Sequence, residues 1–294
     1  MADELRILER PSLERPILIT AFRGWNDGGQ GASLAGAYLA QQWEATRFAE
    51  IDPEEFFDFQ ATRPQVTLTQ EATRRIEWPE NIFLHAPIPG ADRDAVLLLG
   101  VEPNLRWRRF TGHVVEVASE LGVELVVSLG ALLADVPHTR AAPVSGSASD
   151  AELVERLGLQ FSRYEGPTGI VGVLLDACKA AGLPSVSLWA AVPHYVSLAP
   201  SPKAALALCE RLAQLIEAPI DTEELAAAAE SYQLQVSEAV ATDEETQAYV
   251  EELEQRADEI DEESLPSGDS LAAELTRFLR EREADNGDDA ARGQ

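Results

Sequence analysis

The chain has 294 residues, 45% of them hydrophobic, which is enough to bury the core of one large domain or of one domain with an appendage. Its formal net charge of −28 argues against nucleic acid and anionic membranes as partners, because their phosphates would be repelled. No apolar run approaches the roughly 18 residues of a membrane span, and the N-terminus lacks a signal-peptide core, so we expect a cytoplasmic protein.

Apolar, β-rich runs alternate with helical patterns along most of the chain. Strands are predicted over residues 17–22, 47–51, 95–101, 124–129 and 186–192. Helices are predicted over residues 28–43, 104–121, 168–181 and 201–217. The last two helical patterns hold Cys178 and Cys209, which are expected to be buried free thiols. Near-continuous apolar strands alternating with helices predict an α/β fold with a mostly parallel central sheet flanked by helices.

The segment 52–89 breaks this alternation. Residues 65–70 and 74–78 alternate in polarity and predict a β-hairpin, and residues 81–85 predict another short strand. An excursion of this kind builds an oligomer contact or covers a site, with plain packing as the simpler alternative. A further extended piece is expected over residues 140–149, before the next helix.

The C-terminal part of the chain is much more acidic than the rest. Residues 217–294 hold 24 acidic and 5 basic side chains. Helical spacing of apolar residues predicts helices over residues 221–241, 243–261 and 271–279. We therefore divide the chain into an α/β domain at 1–218, an acidic helical region at 219–283 and a disordered tail at 284–294. The helical region is expected to dock on the α/β body, with an interaction arm as the alternative.

The glycine-rich turn at residues 23–29, between the first strand and the first helix, is the strongest candidate for a site. Ligands of open α/β sheets bind beyond the carboxyl ends of the strands, where this turn is predicted to lie. Glycines at the helix start could present backbone N–H groups to an anion. The structural alternative is that Gly24, Gly28 and Gly31 permit a tight turn and close packing of the helix on the sheet.

Polar residues also follow the other strands and should reach the same rim. The candidate ligand-binding residues are Arg23, Trp25, Asn26, Asp27, Glu102, Asn104, Arg106, His138, Arg140 and His194. A carboxylate such as Asp27 or Glu102 beside a rim histidine would suit acid–base catalysis, and a rim arginine would suit an anionic group. Each of these two carboxylates also has a purely structural alternative, because Asp27 can cap its helix and Glu102 can pair with a rim arginine.

No catalytic signature accompanies these residues. The sequence contains no P-loop, no Gly-x-Gly-x-x-Gly, no His-Glu-x-x-His, no Cys-x-x-Cys and no Gly-x-Ser-x-Gly. The four histidines are not spaced as paired metal ligands, so neither a metal nor a cofactor is predicted. The alternative interpretation, a hydrolase or phosphorylase-like enzyme or a small-ligand binder, is therefore supported only by the expected topology of the fold.

Three segments together, 23–29, 99–107 and 129–140, resemble the PAC2 (proteasome assembly chaperone 2-like) family, most of all its longer actinobacterial members. The similarity spans residues 13–217. It implies a fold similar to the purine nucleoside phosphorylase/hydrolase type, a homo-oligomer, most of all a trimer, and a chaperone-like role with proteasome subunits or other proteins as partners. It carries over no catalytic residue. Archaeal relatives dock on proteasome rings through a hydrophobic-Tyr-x tail, which residues 291–294 lack, so docking by that route is not expected.

Overall fold

The structure is a computed structural model that describes residues 4–69, 73–149, 151–162, 164–196 and 199–259. Its strands are β1 (Leu5–Ile7), β2 (Ile17–Arg23), β3 (Thr46–Ile51), β4 (Gln65–Leu68), β5 (Arg74–Glu77), β6 (Asn81–Pro87), β7 (Asp94–Val101), β8 (Leu125–Ala134), β9 (Val144–Ala148) and β10 (Ser185–Pro193). Its helices are α1 (Gly31–Gln42), α2 (Trp107–Glu120), α3 (Ala151–Leu157), α4 (Ile170–Ala180), α5 (Pro202–Ile216), α6 (Glu223–Val240) and α7 (Glu244–Glu259). The predicted helix at 271–279 and the predicted disordered tail lie outside the described residues.

An eight-stranded sheet with the order β1-β3-β6-β7-β2-β8-β10-β9 forms the centre of the fold. The four strands β7, β2, β8 and β10 are mutually parallel, whereas β6, β3 and β1 on one side and β9 on the other run antiparallel to their neighbours. The predicted α/β fold, with its central sheet flanked by helices, is confirmed. Because the four central strands are parallel, their carboxyl ends meet at one edge of the sheet.

Two apolar cores cover the two faces of the sheet. In β2, Ile17, Ile19 and Ala21 face the core that contains α1 and α5, while Leu18 and Phe22 face the core that contains α2 and α4. Burial on both faces explains why this strand reads as a continuous apolar run rather than as an alternating one.

The first two helices of the C-terminal region pack on the body. Helix α6 lies against α5, and its buried residues are Leu225, Ala229, Tyr232 and Val236. Helix α7 follows it and buries Val250 and Leu253. A hydrogen bond of 2.9 Å from the hydroxyl of Tyr38 on α1 to the carbonyl of Asp221 holds the start of α6. The division of the chain at residue 218 stays a prediction.

Several element ends differ from the sequence-based expectation. Strand β8 runs five residues beyond the predicted end at 129, because β10 pairs with it as far as Pro193 opposite Ala134. Helix α2 begins at Trp107 rather than at 104, because Arg106 has a left-handed backbone conformation. Strand β1, only three residues long, was not predicted. The extended piece expected within 140–149 is β9, an antiparallel edge strand.

The two cysteines and the predicted hairpin are found as the sequence indicated. Cys178 and Cys209 are buried free thiols, and burial raises the pKa of each to about 12. The hairpin expected within 52–89 is present as β4 and β5, which form a separate two-stranded sheet.

No helix in the described ranges is long and apolar enough to cross a membrane.

The indole ring of Trp189 on β10 packs directly over Gly130 on β8. A Cβ added at Gly130 would lie 2.4 Å from Cε3 of the ring, much closer than atoms can approach without a shift. We expect Gly130→Ala to lower the free energy of unfolding by about 1–3 kcal/mol, the usual cost of overpacking a core. Urea unfolding followed by circular dichroism measures this cost.

Gly112→Ala on α2 is the matched control, because a Cβ there meets nothing within 4 Å. It removes a glycine from a helix interior and should raise the free energy of unfolding by about 0.4–1 kcal/mol. Equal stabilities for the two variants would contradict the close packing of Trp189 on β8.

Candidate functional site

The side chain of Glu102, directly after β7, lies at the centre of the strand-end rim. Its Oε2 accepts a hydrogen bond from the backbone N–H of Trp25 (3.1 Å), and its Oε1 accepts from Nδ2 of Asn26 (3.1 Å) and from the N–H of Ile170 (2.8 Å). Ile170 is the first residue of α4, so the carboxylate satisfies a donor that a helix start leaves open and adds a favourable negative charge there. Glu102 thus joins the turn after β2 to α4, instead of pairing with a rim arginine.

Two glycines permit this close approach. Gly24 has φ +141°, and a Cβ there would lie 2.8 Å from Cβ of Glu102. A Cβ at Gly169 would lie 2.4 Å from Nδ2 of Asn26. Gly24 therefore permits the turn to approach Glu102 closely, which agrees with the structural alternative for this glycine.

Asp27 caps helix α1 from within the same turn. Its Oδ1 accepts from the N–H groups of Ala32 (2.9 Å) and Ser33 (3.1 Å), and its Oδ2 accepts from the hydroxyl of Ser33 (2.5 Å). Burial raises the pKa of Asp27, and the hydrogen bonds from Ser33 and Ala32 oppose this shift. The partners of Asp27 and Glu102 among the described residues include no histidine, so these carboxylates do not form the acid–base pair that their positions suggested.

His138, after β8, is buried beneath α6. Its Nδ1 lies 2.9 Å from the hydroxyl of Tyr195, and its Nε2 lies 3.0 Å from the hydroxyl of Ser237 on α6. Lys203 on α5 donates to the carbonyl of His138 and to Oε1 of Gln233 (2.7 Å). These five residues form a polar cluster between the body and α6, which we call the His138 cluster.

Burial decides the protonation of the His138 cluster. Loss of solvent lowers the pKa of His138, and the charge of Lys203 lowers it further. Burial also lowers the pKa of Lys203 to about 8, with the charge of Arg140 adding to the effect, and raises the pKa of Tyr195 to about 12. Near neutral pH the histidine and the tyrosine are therefore uncharged, as a buried contact requires.

The loop after His138 is held by α7. The guanidinium of Arg140 makes two hydrogen bonds of 2.9 Å to the carboxylate of Asp258 and lies 3.4 Å from Glu254. The hydroxyl of Thr139 donates to the same Glu254. Arg140 is thus held by two carboxylates of α7.

His194, after β10, lies beside the same helix. Its Nδ1 is 3.1 Å from Oδ1 of Asp135, and its ring packs edge-on against Tyr195 and against Tyr249 of α7. A carboxylate–histidine contact therefore does occur at the rim, but the carboxylate is Asp135.

Asn104 and Arg106, after Glu102, hold the segment that precedes the hairpin. Oδ1 of Asn104 accepts from the N–H of Asp58 (3.0 Å) and from the hydroxyl of Thr62 (3.0 Å). Arg106 forms an ion pair with Glu55. Arg23 lies elsewhere, at a wide cleft between the sheet and the hairpin.

A cavity of about 330 Å³ opens on the other side of the Trp25–Asn26 turn. It lies between β8, β10 and β9 on one side and α4 on the other, and we call it the aromatic cavity. Its aromatic and hydroxyl-bearing lining residues include Trp25, Phe161, Tyr164, Trp189, Ser147 and Ser187. Of these, only Trp25 was singled out from the sequence. The available signal was the presence of small polar serines inside strands that otherwise read as apolar.

The predicted site residues therefore fall into five places rather than one. Asn26 and Asp27 lie in the turn after β2, which Glu102 links to α4, and His138, Arg140 and His194 lie beside α6 and α7. Asn104 and Arg106 hold the segment before the hairpin. Arg23 and Trp25 stay exposed, each at a different cavity. Within the described ranges, no three histidine, cysteine or carboxylate side chains come together as a metal site.

The chain is similar to proteins of one family over most of its length. The model of the PAC2 family matches residues 21–240. A PAC2 family protein from Streptomyces avermitilis has 49% identity and a TM-score of 0.75, covering 80% of this chain and 99% of its own. A proteasome-assembly chaperone homologue from Mycobacterium tuberculosis has 47% identity and a TM-score of 0.73, with the same coverage. An archaeal proteasome activator from Pyrococcus furiosus, at 20% identity and a TM-score of 0.65, shares the fold over 80% of this chain and 97% of its own. No curated protein matches.

Removing the Glu102 carboxylate should be costly for stability. Glu102→Ala leaves three N–H donors without their acceptor, so we expect the free energy of unfolding to fall by about 2–4 kcal/mol. Glu116→Ala, at an exposed position on α2, is the matched control and should change it by less than about 0.5 kcal/mol. Urea unfolding of both variants measures the difference, and equal stabilities would rule out a structural role for Glu102.

The lowered pKa of His138 makes stability depend on pH. Below about pH 6.5 the unfolded chain binds a proton at this histidine that the folded protein does not bind, so stability falls as the pH falls. Between pH 7.5 and 5.5 we expect the wild type to lose more stability than His138→Gln, which has no group to titrate there. Denaturant unfolding at several pH values gives both curves, and parallel curves would contradict the effect.

Proposed function

Because the chain belongs to the PAC2 family, we propose that it is a homo-oligomeric, protein-binding scaffold that acts in proteasome assembly. A chaperone-like role is supported by the family and by the Mycobacterium tuberculosis relative, which is described as a proteasome-assembly chaperone homologue. The family resemblance favours a trimer, and proteasome subunits are the partner class that we propose.

The exposed face of the β4–β5 hairpin is the observation that carries this proposal. Val66, Leu68 and Ile76 lie on one face, since Val66 pairs with Ile76 and Leu68 is two residues along the same strand. Their exposed fractions are 61%, 71% and 56%. A two-stranded hairpin is only marginally stable alone, and an apolar patch of this kind usually marks a contact surface. We call these three residues the hairpin face.

Charge favours a second copy of this chain as the occupant of the hairpin face. Residues 63–80 hold three arginines and three glutamates, so the segment is neutral in a chain of net charge −28. Two acidic copies repel each other least where each is neutral. Burying the apolar side chains of the hairpin face then adds the attraction that holds the copies together.

The polar rim gives less support to the alternative, a hydrolase or phosphorylase-like enzyme. The carboxylates of Asp27 and Glu102 accept helix-start hydrogen bonds, and Arg140 and His138 contact the C-terminal helices. A catalytic group needs access to substrate as well as a suitable pKa. These four side chains instead hold elements of the fold together.

A charge on the hairpin face should break the oligomer. We expect the double variant Leu68→Glu, Ile76→Glu to run as a monomer in native mass spectrometry, because it places carboxylates in an apolar contact and adds repulsion between copies. The control is Gln65→Glu with Thr67→Glu, which adds the same charge to the opposite face of β4 and should keep the wild-type mass. An unchanged oligomer in the first variant, with circular dichroism intact in both, would exclude the hairpin face as the interface.

The proposed partner class needs a separate measurement. The wild-type protein is mixed with proteasome α and β subunits from its own host, and complexes are weighed by native mass spectrometry. A complex that contains both would support the proposal. An intact homo-oligomer that binds neither subunit would contradict the proposal that proteasome subunits are its partners.

A further inference from the structure

The aromatic cavity has a flat apolar floor. The floor is the indole ring of Trp189, which lies over Gly130 and is fixed by a hydrogen bond of 3.1 Å from its Nε1 to the hydroxyl of Ser187. Gly130 on β8 lies against this ring, and the same ring lines the cavity. A ring held in this way is ready to stack on a flat partner without rearranging.

Two further aromatic residues stand at the mouth of the cavity. Trp25 is 42% exposed and Phe161 is 51% exposed, although both are large and apolar. Trp25 belongs to the turn whose backbone N–H is bound by Glu102, so its position is set by the fold. Exposed aromatic side chains beside a preformed hollow are typical of a small-molecule site.

The lining of the cavity favours a neutral ligand. Among the described residues that line it, none carries a charge. The hydroxyl groups of Ser147 and Ser187 lie 3.0 Å apart and use one of their two hydrogens on each other. The other hydrogen has no acceptor among the described residues, while Ser187 already accepts from Trp189. The cavity therefore offers this hydroxyl hydrogen, together with the side-chain amides of Asn26 and Gln160, in mostly apolar surroundings.

We propose that the aromatic cavity binds a small, neutral, planar molecule that carries a hydrogen-bond acceptor, such as a ring with a carbonyl group. The ring stacks on Trp189 beneath Trp25 and Phe161, and the acceptor takes the free hydroxyl hydrogen of the Ser147–Ser187 pair. The volume of about 330 Å³ is at the small end of ligand pockets, which limits the occupant to one or two fused rings. This site is independent of the hairpin face and of the function proposed from it.

The five tryptophans of the chain make a direct test available. The full chain is labelled with 5-fluorotryptophan, its five ¹⁹F signals are assigned by single Trp→Phe variants, and isoquinolin-1-one is titrated as the neutral probe. We expect the signals of Trp25 and Trp189 to shift saturably, with a dissociation constant on the order of 1 mM, the range of a fragment-sized ligand. Trp43, Trp78 and Trp107 lie outside the cavity and serve as internal controls.

The charge preference is tested with a cation of the same shape. N-methylisoquinolinium should bind at least several-fold more weakly than isoquinolin-1-one. Tighter binding of the cation would overturn the proposal, because the aromatic residues would then form a cation cage. No saturable shift, or parallel shifts of all five signals, would overturn it as well.

The donor is tested by a pair of serine variants. The double variant Ser147→Ala, Ser187→Ala removes both hydroxyl groups, because either serine alone would keep one free hydroxyl hydrogen. It should weaken the binding of isoquinolin-1-one about fivefold, the effect of one lost hydrogen bond. Ser119→Ala, at an exposed position on α2, should leave the affinity unchanged. Equal affinities for the double variant and Ser119→Ala would contradict the role of the hydroxyl pair, and the wild-type titration still tests the cavity if the double variant does not fold.

Discussion

The fold depends on a single constraint at the carboxyl edge of the sheet, where the Glu102 carboxylate accepts hydrogen bonds from the turn after β2 and from the start of α4. Parallel strands bring the loops after β2 and β7 together, and α4 returns its first N–H group to the same point. A carboxylate suits this position, because hydrogen bonds to a charged acceptor are stronger than those between neutral groups. This arrangement requires glycine at positions 24 and 169, because a Cβ at either position would lie too close to Glu102 or Asn26.

The C-terminal helices cover one part of the strand-end rim and leave another part open. On the side of β8 and β10, helices α6 and α7 cover the loop and engage His138, Thr139 and Arg140. On the side of α4, the turn at Trp25 stays open and forms one wall of the aromatic cavity. Residues that resemble an active site in sequence thus become an internal contact on one side, while the turn at Trp25 stays accessible beside a cavity whose described lining residues are uncharged.

Charge and apolar exposure together indicate where this chain can contact another molecule. The net charge of −28 keeps copies and acidic partners apart, so contacts should form where the surface is locally neutral and apolar. The β4–β5 hairpin has both properties, and it stands outside the main sheet, where it can be covered by another chain without disturbing the core. The aromatic cavity is a second accessible apolar feature and lies on a different part of the fold.

The sequence by itself determined the fold class, the positions of the main strands and helices and the existence of the hairpin, because these follow from local periodicity of apolar residues. It also placed the polar residues at the strand ends, and it indicated that Asp27 could cap the first helix. In the structure Asp27 does so by accepting from N–H groups five and six residues away. Only the tertiary structure decided what the other polar side chains do. Glu102 contacts Trp25 and Ile170, which are 77 and 68 positions away, and His138 contacts Ser237, 99 positions away. The aromatic cavity likewise exists only where β9, β10 and α4 meet, since partners so distant in sequence leave no periodic signal in the chain.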